Sequence, residues 1–346
     1  MVVLSFIRTV ATASLLTKSL VFGQGSNDTN GGDFIPDLGG IAASFPDGVD
    51  SDKPFLATEL ARGQYKVKIR TDPAFPNRTI YVPQGTGNKK IPIFAWENGI
   101  CYKYGRMYAG FLEEIASHGY FAVAPGNPFL QSPGFTSSAW QIASIDYALE
   151  WNTTEIKLDR SKIGIGGHSC GATETANTAA KDKRVKTAII ANGADNFGSR
   201  SGGFECDEAK LKNYRAPTLW VHGGPTDGAG PINEDYECLK RLQPKLPNAK
   251  AVVNTGHLMT YFDRRGGITA ELFVNWLDYI LKGSEDAAKY FLGGEDSGAA
   301  ERGWEYESNA LEGDDVEDED GDEDEGYSHG HGDEDKLPVR RVFRKF

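Results

Sequence analysis

Apolar residues along the chain follow two rhythms that alternate with each other. Tyr65–Arg70 (YKVKIR) alternates apolar and polar side chains, as a half-buried strand does, and Thr79–Val82 reads the same way. Ile91-Pro92-Ile93-Phe94-Ala95-Trp96 is a continuous apolar run, the pattern of a strand covered on both faces, with Pro92 near its start. Tyr108, Phe111, Leu112 and Ile115 then recur at helical spacing and predict one buried helix face. Tyr120–Ala124 is the next strand, and Ile142, Ile145 and Leu149 mark a second helix. Lys162–Gly166 is a strand that leads towards the small-residue stretch Ala172 to Ala180, read as helix. Further on, Val185–Ala191, Thr218–His222 and Ala249–Val253 are predicted strands, and Asn233–Leu246 is predicted helical with Asn233 as N-cap. Leu272, Phe273, Trp276, Leu277, Ile280 and Leu281 line a final amphipathic helix that Gly283 ends. Strands alternating with helices imply an α/β fold, a mostly parallel central sheet with helices on both faces. Ligands of such sheets gather beyond the carboxyl ends of the strands.

The flanks of this pattern differ in kind. Residues 1–23 carry an early Arg8, apolar and small residues, and a Gly23-Gln24 junction, and so read as a signal peptide. A mitochondrial presequence is the competing reading, because no acid precedes Asp28. Three sequons, at Asn27, Asn77 and Asn152, favour secretion and are the candidate glycosylation sites. Residues 24–58 are rich in Gly, Asp, Pro and Ser and read as a leader. Periodicity fades from Ser284, and residues 284–346 are expected to form an acidic, disordered tail.

Charge is concentrated in that tail. Of the net −12, residues 312–346 carry −9, so the remainder is nearly neutral and offers no footprint for nucleic acid. The acidic run also fails the EF-hand pattern: a central Gly321 would place Val316 at the first ligand position and Tyr327 at the last. No metal or organic cofactor is expected. No later apolar stretch is long enough to span a bilayer.

Between the strand ending at Gly166 and its following helix lies Gly167-His168-Ser169-Cys170-Gly171, a G-x-S-x-G turn. In a strand-to-helix turn this tight, the central Ser is strained and its hydroxyl stands clear of the sheet. Serine is a weak nucleophile and needs a base that is itself oriented by an acid. His257, in Asn254-Thr255-Gly256-His257 after the strand Ala249–Val253, lies in the loop suited to the base. Two acids are open: Asp227, after Thr218–His222, is favoured over Asp195, after Val185–Ala191. Backbone N–H groups must receive the charge that develops on a substrate carbonyl oxygen. Cys170, opening the helix, and Ile100, after Gly99, are the chosen donors. Four cysteines allow three pairings. Cys101–Cys170 with Cys206–Cys238 is preferred, because Cys101 and Cys170 flank the two donors and a bond would hold them together.

Trp96-Glu97-Asn98-Gly99-Ile100-Cys101, Phe111–Tyr120, the G-x-S-x-G turn, Ala216–Leu219 leading to Asp227, and Gly256-His257 together resemble the α/β-hydrolase superfamily. Within its small-cap branch, the chain looks like secreted dienelactone-hydrolase-like and cutinase/polyesterase-like serine esterases. The resemblance covers about residues 60–283, and it implies an α/β-hydrolase catalytic domain over residues 59–283. It also implies a minimal cap and hydrolysis of carboxylic esters by a Ser-His-Asp triad through an acyl-enzyme. The substrate would be a small-molecule or polymeric ester and the enzyme a secreted monomer. Asn196–Arg215 and the loop Pro125–Trp140, with Phe129, Phe135 and Trp140, are the segments able to cover the site. A hydrolase-fold binding protein without catalysis is the alternative.

Overall fold

A computed structural model describes residues 63–130, 132–193, 211, 214–227 and 233–311. They form one nine-stranded sheet in the order β1-β2-β4-β3-β5-β6-β7-β8-β9. The strands are β1 (Val67–Asp72), β2 (Phe75–Pro83), β3 (Lys90–Glu97), β4 (Phe121–Pro125), β5 (Lys157–His168), β6 (Thr187–Ala191), β7 (Thr218–His222), β8 (Asn248–Val252) and β9 (Glu305–Asn309). From β4 through β8 all neighbours run parallel. The edge pairs β1–β2 and β8–β9 are antiparallel, as is β2–β4. The α/β architecture read from the apolar rhythm is thus present.

Helices α1 (Ala109–Ser117), α2 (Ser138–Glu150), α3 (Cys170–Lys181), α4 (Asn233–Leu242) and α5 (Gly267–Leu277) follow the strands. Side chains alternate along each strand, so the sheet has two apolar faces. Phe94 and Trp96 of β3 pack with Phe111 of α1 and with Phe273 and Trp276 of α5. Ile91, Ile93 and Ala95 of the same strand face the opposite core, with Ile145 of α2, Ala176 of α3 and Trp220 of β7. Residues buried on both sides explain why the central strands read as uninterrupted apolar runs.

Several boundaries differ from the sequence reading: the helix from Asn233 ends at Leu242 rather than Leu246, strand ends shift by a few residues, and two differences are larger. Strand β5 begins at Lys157 rather than Lys162, because its first residues pair with Lys90–Pro92 before an irregularity resets the register at Ile93–Ile163. The fold also continues past Gly283, through short helices α6 (Glu285–Ala288) and α7 (Gly298–Glu301) to β9. Strand β9 pairs along the whole of β8, from Val252–Glu305 to Asn248–Asn309. Residues 284–311, expected to belong to the tail, therefore complete the sheet. Phe291 closes that end against Trp276, with ring centroids 5.2 Å apart. Among the described residues, no helix is long and apolar enough to cross a membrane.

Candidate active site

Strands β3, β5, β6, β7 and β8 deliver the predicted residues from their carboxyl ends. Ser169 directly follows β5 and caps α3, with φ 56° and ψ −120°. Such a backbone costs a non-glycine residue on the order of 1–3 kcal/mol and persists only where its surroundings fix it. They do so here by close packing. A Cβ on Gly167 would lie 2.2 Å from the Gly171 carbonyl oxygen, and one on Gly171 would lie 2.4 Å from that of Glu97. The turn is therefore wedged between its own helix and β3, and glycine is required at both ends. The Ser169 N–H donates to the Ala191 carbonyl at 2.9 Å, which pins the turn to β6.

Three side chains meet across 88 residues of sequence. His257 Nε2 is 2.9 Å from Ser169 Oγ. His257 Nδ1 is 2.6 Å from Asp227 Oδ1. Because the carboxylate can only accept, Nδ1 carries the imidazole proton, and Nε2 presents a lone pair to the Ser169 hydroxyl. The Asp227 side chain is fully buried, whereas that of His257 is 26 % exposed. The other oxygen of Asp227 accepts the Gly223 N–H at 2.8 Å and the Asn192 amide at 2.6 Å. The carboxylate is thus held by N–H donors of Gly223, Asn192 and His257. Asp195, the alternative acid, lies outside the described residues, as do Cys206 and Asn27.

No protein-family model matches the chain, and no curated protein matches it in sequence. What the site can do is therefore read from its own geometry.

Cys101 and Cys170 are joined by a disulfide, their Cα atoms 5.2 Å apart. Ile100 and Cys101 both occupy left-handed backbone, with φ 51° and 52°. Cys170 is the first residue of α3, where helical geometry leaves the N–H without an intrahelical partner. The bond therefore ties the Ile100 turn to the helix N-terminus, beside Ser169. A strap formed by the loop after β4 adds to it: the Thr136 N–H donates to the Cys101 carbonyl at 2.8 Å, and Tyr102 bridges Phe135. Cys238 is also disulfide-bonded. The Asn77 and Asn152 side chains are exposed.

Beneath the disulfide lies a buried carboxyl pair that composition gave no sign of. Glu174 Oε2 accepts from the Thr136 hydroxyl at 2.9 Å, and its other oxygen is 3.0 Å from Cys101 Sγ. Burial pushes the Glu174 carboxyl up to about 7. Glu97, the last residue of β3, is held well above the usual carboxylate range by burial and then by the charge of Glu174. Arg78, buried nearby, opposes part of that shift. Among the described residues, the one group of donor atoms close enough to hold a metal is Cys101, Cys170 and Glu174, within 4.8 Å. Two of its three members are consumed by the disulfide and lack the thiolate charge that a metal takes.

Four residues outside the predicted set also shape the site: Asn192, Tyr261, Tyr108 and His168. The Tyr261 hydroxyl reaches Asn192 Oδ1 at 3.3 Å and so backs the amide that holds Asp227. Tyr108 and His168 are hydrogen-bonded to each other at 2.7 Å. Only His168 stood within a motif, as the variable residue before Ser169. Phe135, which bridges Tyr102, and Leu258, next to His257, are exposed, as are Phe129 and Leu130 on the loop after β4, both at 69 %. Trp140 is instead engaged by cations, with Arg78 and Lys103 lying 4.1 and 4.2 Å from its ring centroid.

Proposed function

We propose that the protein is a secreted serine hydrolase that cleaves carboxylic esters through an acyl-enzyme. The observation that carries this reading is the continuous line Asp227–His257–Ser169, at 2.6 and 2.9 Å, with the tautomer that lets His257 accept a proton. In the first step Ser169 Oγ bonds to the acyl carbon, and its proton passes to His257 Nε2. Asp227 stabilises the resulting imidazolium. The Ile100 and Cys170 N–H groups receive the oxyanion, which in a dry, preorganised site is the largest single contribution of this kind. Collapse expels the alcohol, which takes the proton from His257. Water then attacks the acyl-enzyme by the same route and releases the acid.

Several observations support the reading beyond the triad. The mostly parallel sheet, with an antiparallel β2 and every site residue at a carboxyl end, suits the proposed α/β-hydrolase fold. Disulfides suit an oxidising, extracellular compartment. Exposed Phe135 and Leu258, beside Tyr102 and His257 respectively, suit an ester carried on a larger or polymeric molecule. Exposed Asn77 and Asn152 suit glycan attachment.

The test is hydrolysis of p-nitrophenyl acetate and butyrate by the wild type and Ser169→Ala. Hydrolysis by the wild type, reduced to background in the variant, is expected. Equal rates in the two proteins would overturn the reading and leave a hydrolase-fold binding protein.

A further inference from the structure

We infer that His168 and Tyr108 form a positioning bridge that seats the general base and ties it to the oxyanion turn; the role rests on the triad reading above. Four groups lie in one line. The Gly99 N–H donates to the Tyr108 hydroxyl at 3.3 Å. The Tyr108 hydroxyl is 2.7 Å from His168 Nδ1. His168 Nε2 is 2.8 Å from the carbonyl oxygen of His257. That carbonyl can only accept, so Nε2 must carry the proton of His168. Nδ1 is then a lone pair and takes the Tyr108 hydroxyl proton, which leaves the hydroxyl oxygen free to accept from Gly99. Every donor in the line points the same way, and each group has one arrangement.

The line joins two parts of the site that chain connectivity leaves independent. Gly99 precedes Ile100, the proposed oxyanion donor, whereas His257 is the proposed base, on the loop after β8. Glycine is required at position 99 because a Cβ there would fall 2.7 Å from the Tyr108 hydroxyl and 2.8 Å from His168 Nδ1. The bridge is sealed: Tyr108 and His168 are 1 % and 2 % exposed, and the Tyr261 ring stands edge-on to His168 at 4.8 Å. Burial, and then the nearness of His257, pushes His168 down to about 3, so it stays neutral across the working range. Neutrality matters because the His257 ring lies 4.8 Å away and becomes cationic in each half-reaction. A charged side chain at 168 would oppose that step. A neutral N–H donor holds the backbone of the base without competing with it.

Three variants test the bridge: His168→Phe removes both bonds, Tyr108→Phe removes the hydroxyl, and His168→Gln keeps an N–H donor at the Nε2 position. Rates are taken per active site, by ester turnover and by phosphonylation of Ser169 with a fluorophosphonate. In parallel, proton NMR follows the downfield resonance of the His257 Nδ1 proton shared with Asp227. His168→Phe is expected to lower kcat and the phosphonylation rate about tenfold or more with KM within about twofold, the pattern of lost transition-state alignment. Its downfield resonance should also move. His168→Gln should restore most of both effects, and Tyr108→Phe should fall between. Wild-type kcat and an unmoved resonance in folded His168→Phe and Tyr108→Phe would overturn the bridge. If the wild type neither turns over esters nor reacts with the phosphonate, the ester reading fails. The resonance alone then decides whether His168 positions His257.

Discussion

At the scale of single residues, the site works by removing choices. Asp227 accepts several N–H bonds, His257 is held to one tautomer, and Ser169 is held in a strained turn. Asp227→Asn keeps the shape but brings a donor to His257 Nδ1. The imidazole proton then moves to Nε2, where it blocks acceptance from Ser169. Steady-state kinetics should show kcat lowered by about 10⁴-fold, the order found where a triad carboxylate loses its charge. Asn192→Ala leaves a buried carboxylate oxygen short of a donor, at a cost of about 1–3 kcal/mol. A lowered denaturation midpoint and reduced kcat are expected, whereas an unchanged pair would separate Asn192 from the site. Ser169 and His257 were legible in the sequence because each sits at a fixed place relative to a strand end; the sequence leaves the acid open between Asp227 and Asp195, and Asp227 is the one that meets His257. His168, Tyr108 and Asn192 were not legible: His168 meets Tyr108 60 residues away and His257 89 away, Asn192 meets Asp227 35 away, and these contacts follow from packing rather than spacing.

At the scale of elements, strength of periodicity decided what could be read. The strands buried on both faces, and helices α1 and α5, carry long apolar signals and lie within a few residues of their expected bounds. Strand β9, Glu-Tyr-Glu-Ser-Asn, is mostly polar because it is an edge strand with little to bury beyond Tyr306. What holds it is the ladder to β8 and Glu307, whose carboxylate meets Lys240 at 3.0 Å and Lys250 at 2.9 Å. Neither is visible as a pattern in one chain segment. A chain ending at Leu311 keeps β9 and the Phe291 contact to Trp276 and is the reference. One ending at Gly283 should lose β9 and the Phe291 contact to Trp276 and should melt markedly lower or fail to fold. Equal melting of the two would show that the sheet is complete without β9.

At the scale of the whole molecule, the carboxyl pair sets how stability responds to pH. Glu174 binds its proton up to about 7 in the folded protein but only to the ordinary 4.5 once unfolded. The folded state thus holds more protons between those values, so stability is fully present below about 4.5 and declines as pH rises towards about 7. Glu97, shifted the same way by burial and by Glu174, adds to the decline. Denaturant midpoints measured across this range should fall for the wild type. Glu174→Gln, which keeps a neutral group, should flatten the slope. A wild-type profile that rises through the window would mean that the pair is ionised and compensated elsewhere.

The Cys101–Cys170 bond has a consequence in time as well as in space. It spans 69 residues, including β4, α2 and β5, and the pairing of β3 with β5 is what brings its two cysteines together in the native sheet. If the sheet assembles before oxidation, Ser169 meets His257 while Ile100 and Cys170 are still unfastened. On the reading proposed above, hydrolytic competence would then arrive as a separate event, after folding and with oxidation. Protein made and kept reduced should be folded by circular dichroism yet slow to react with a fluorophosphonate, and should gain reactivity as the thiols disappear. Full reactivity before oxidation would remove the bond from this role.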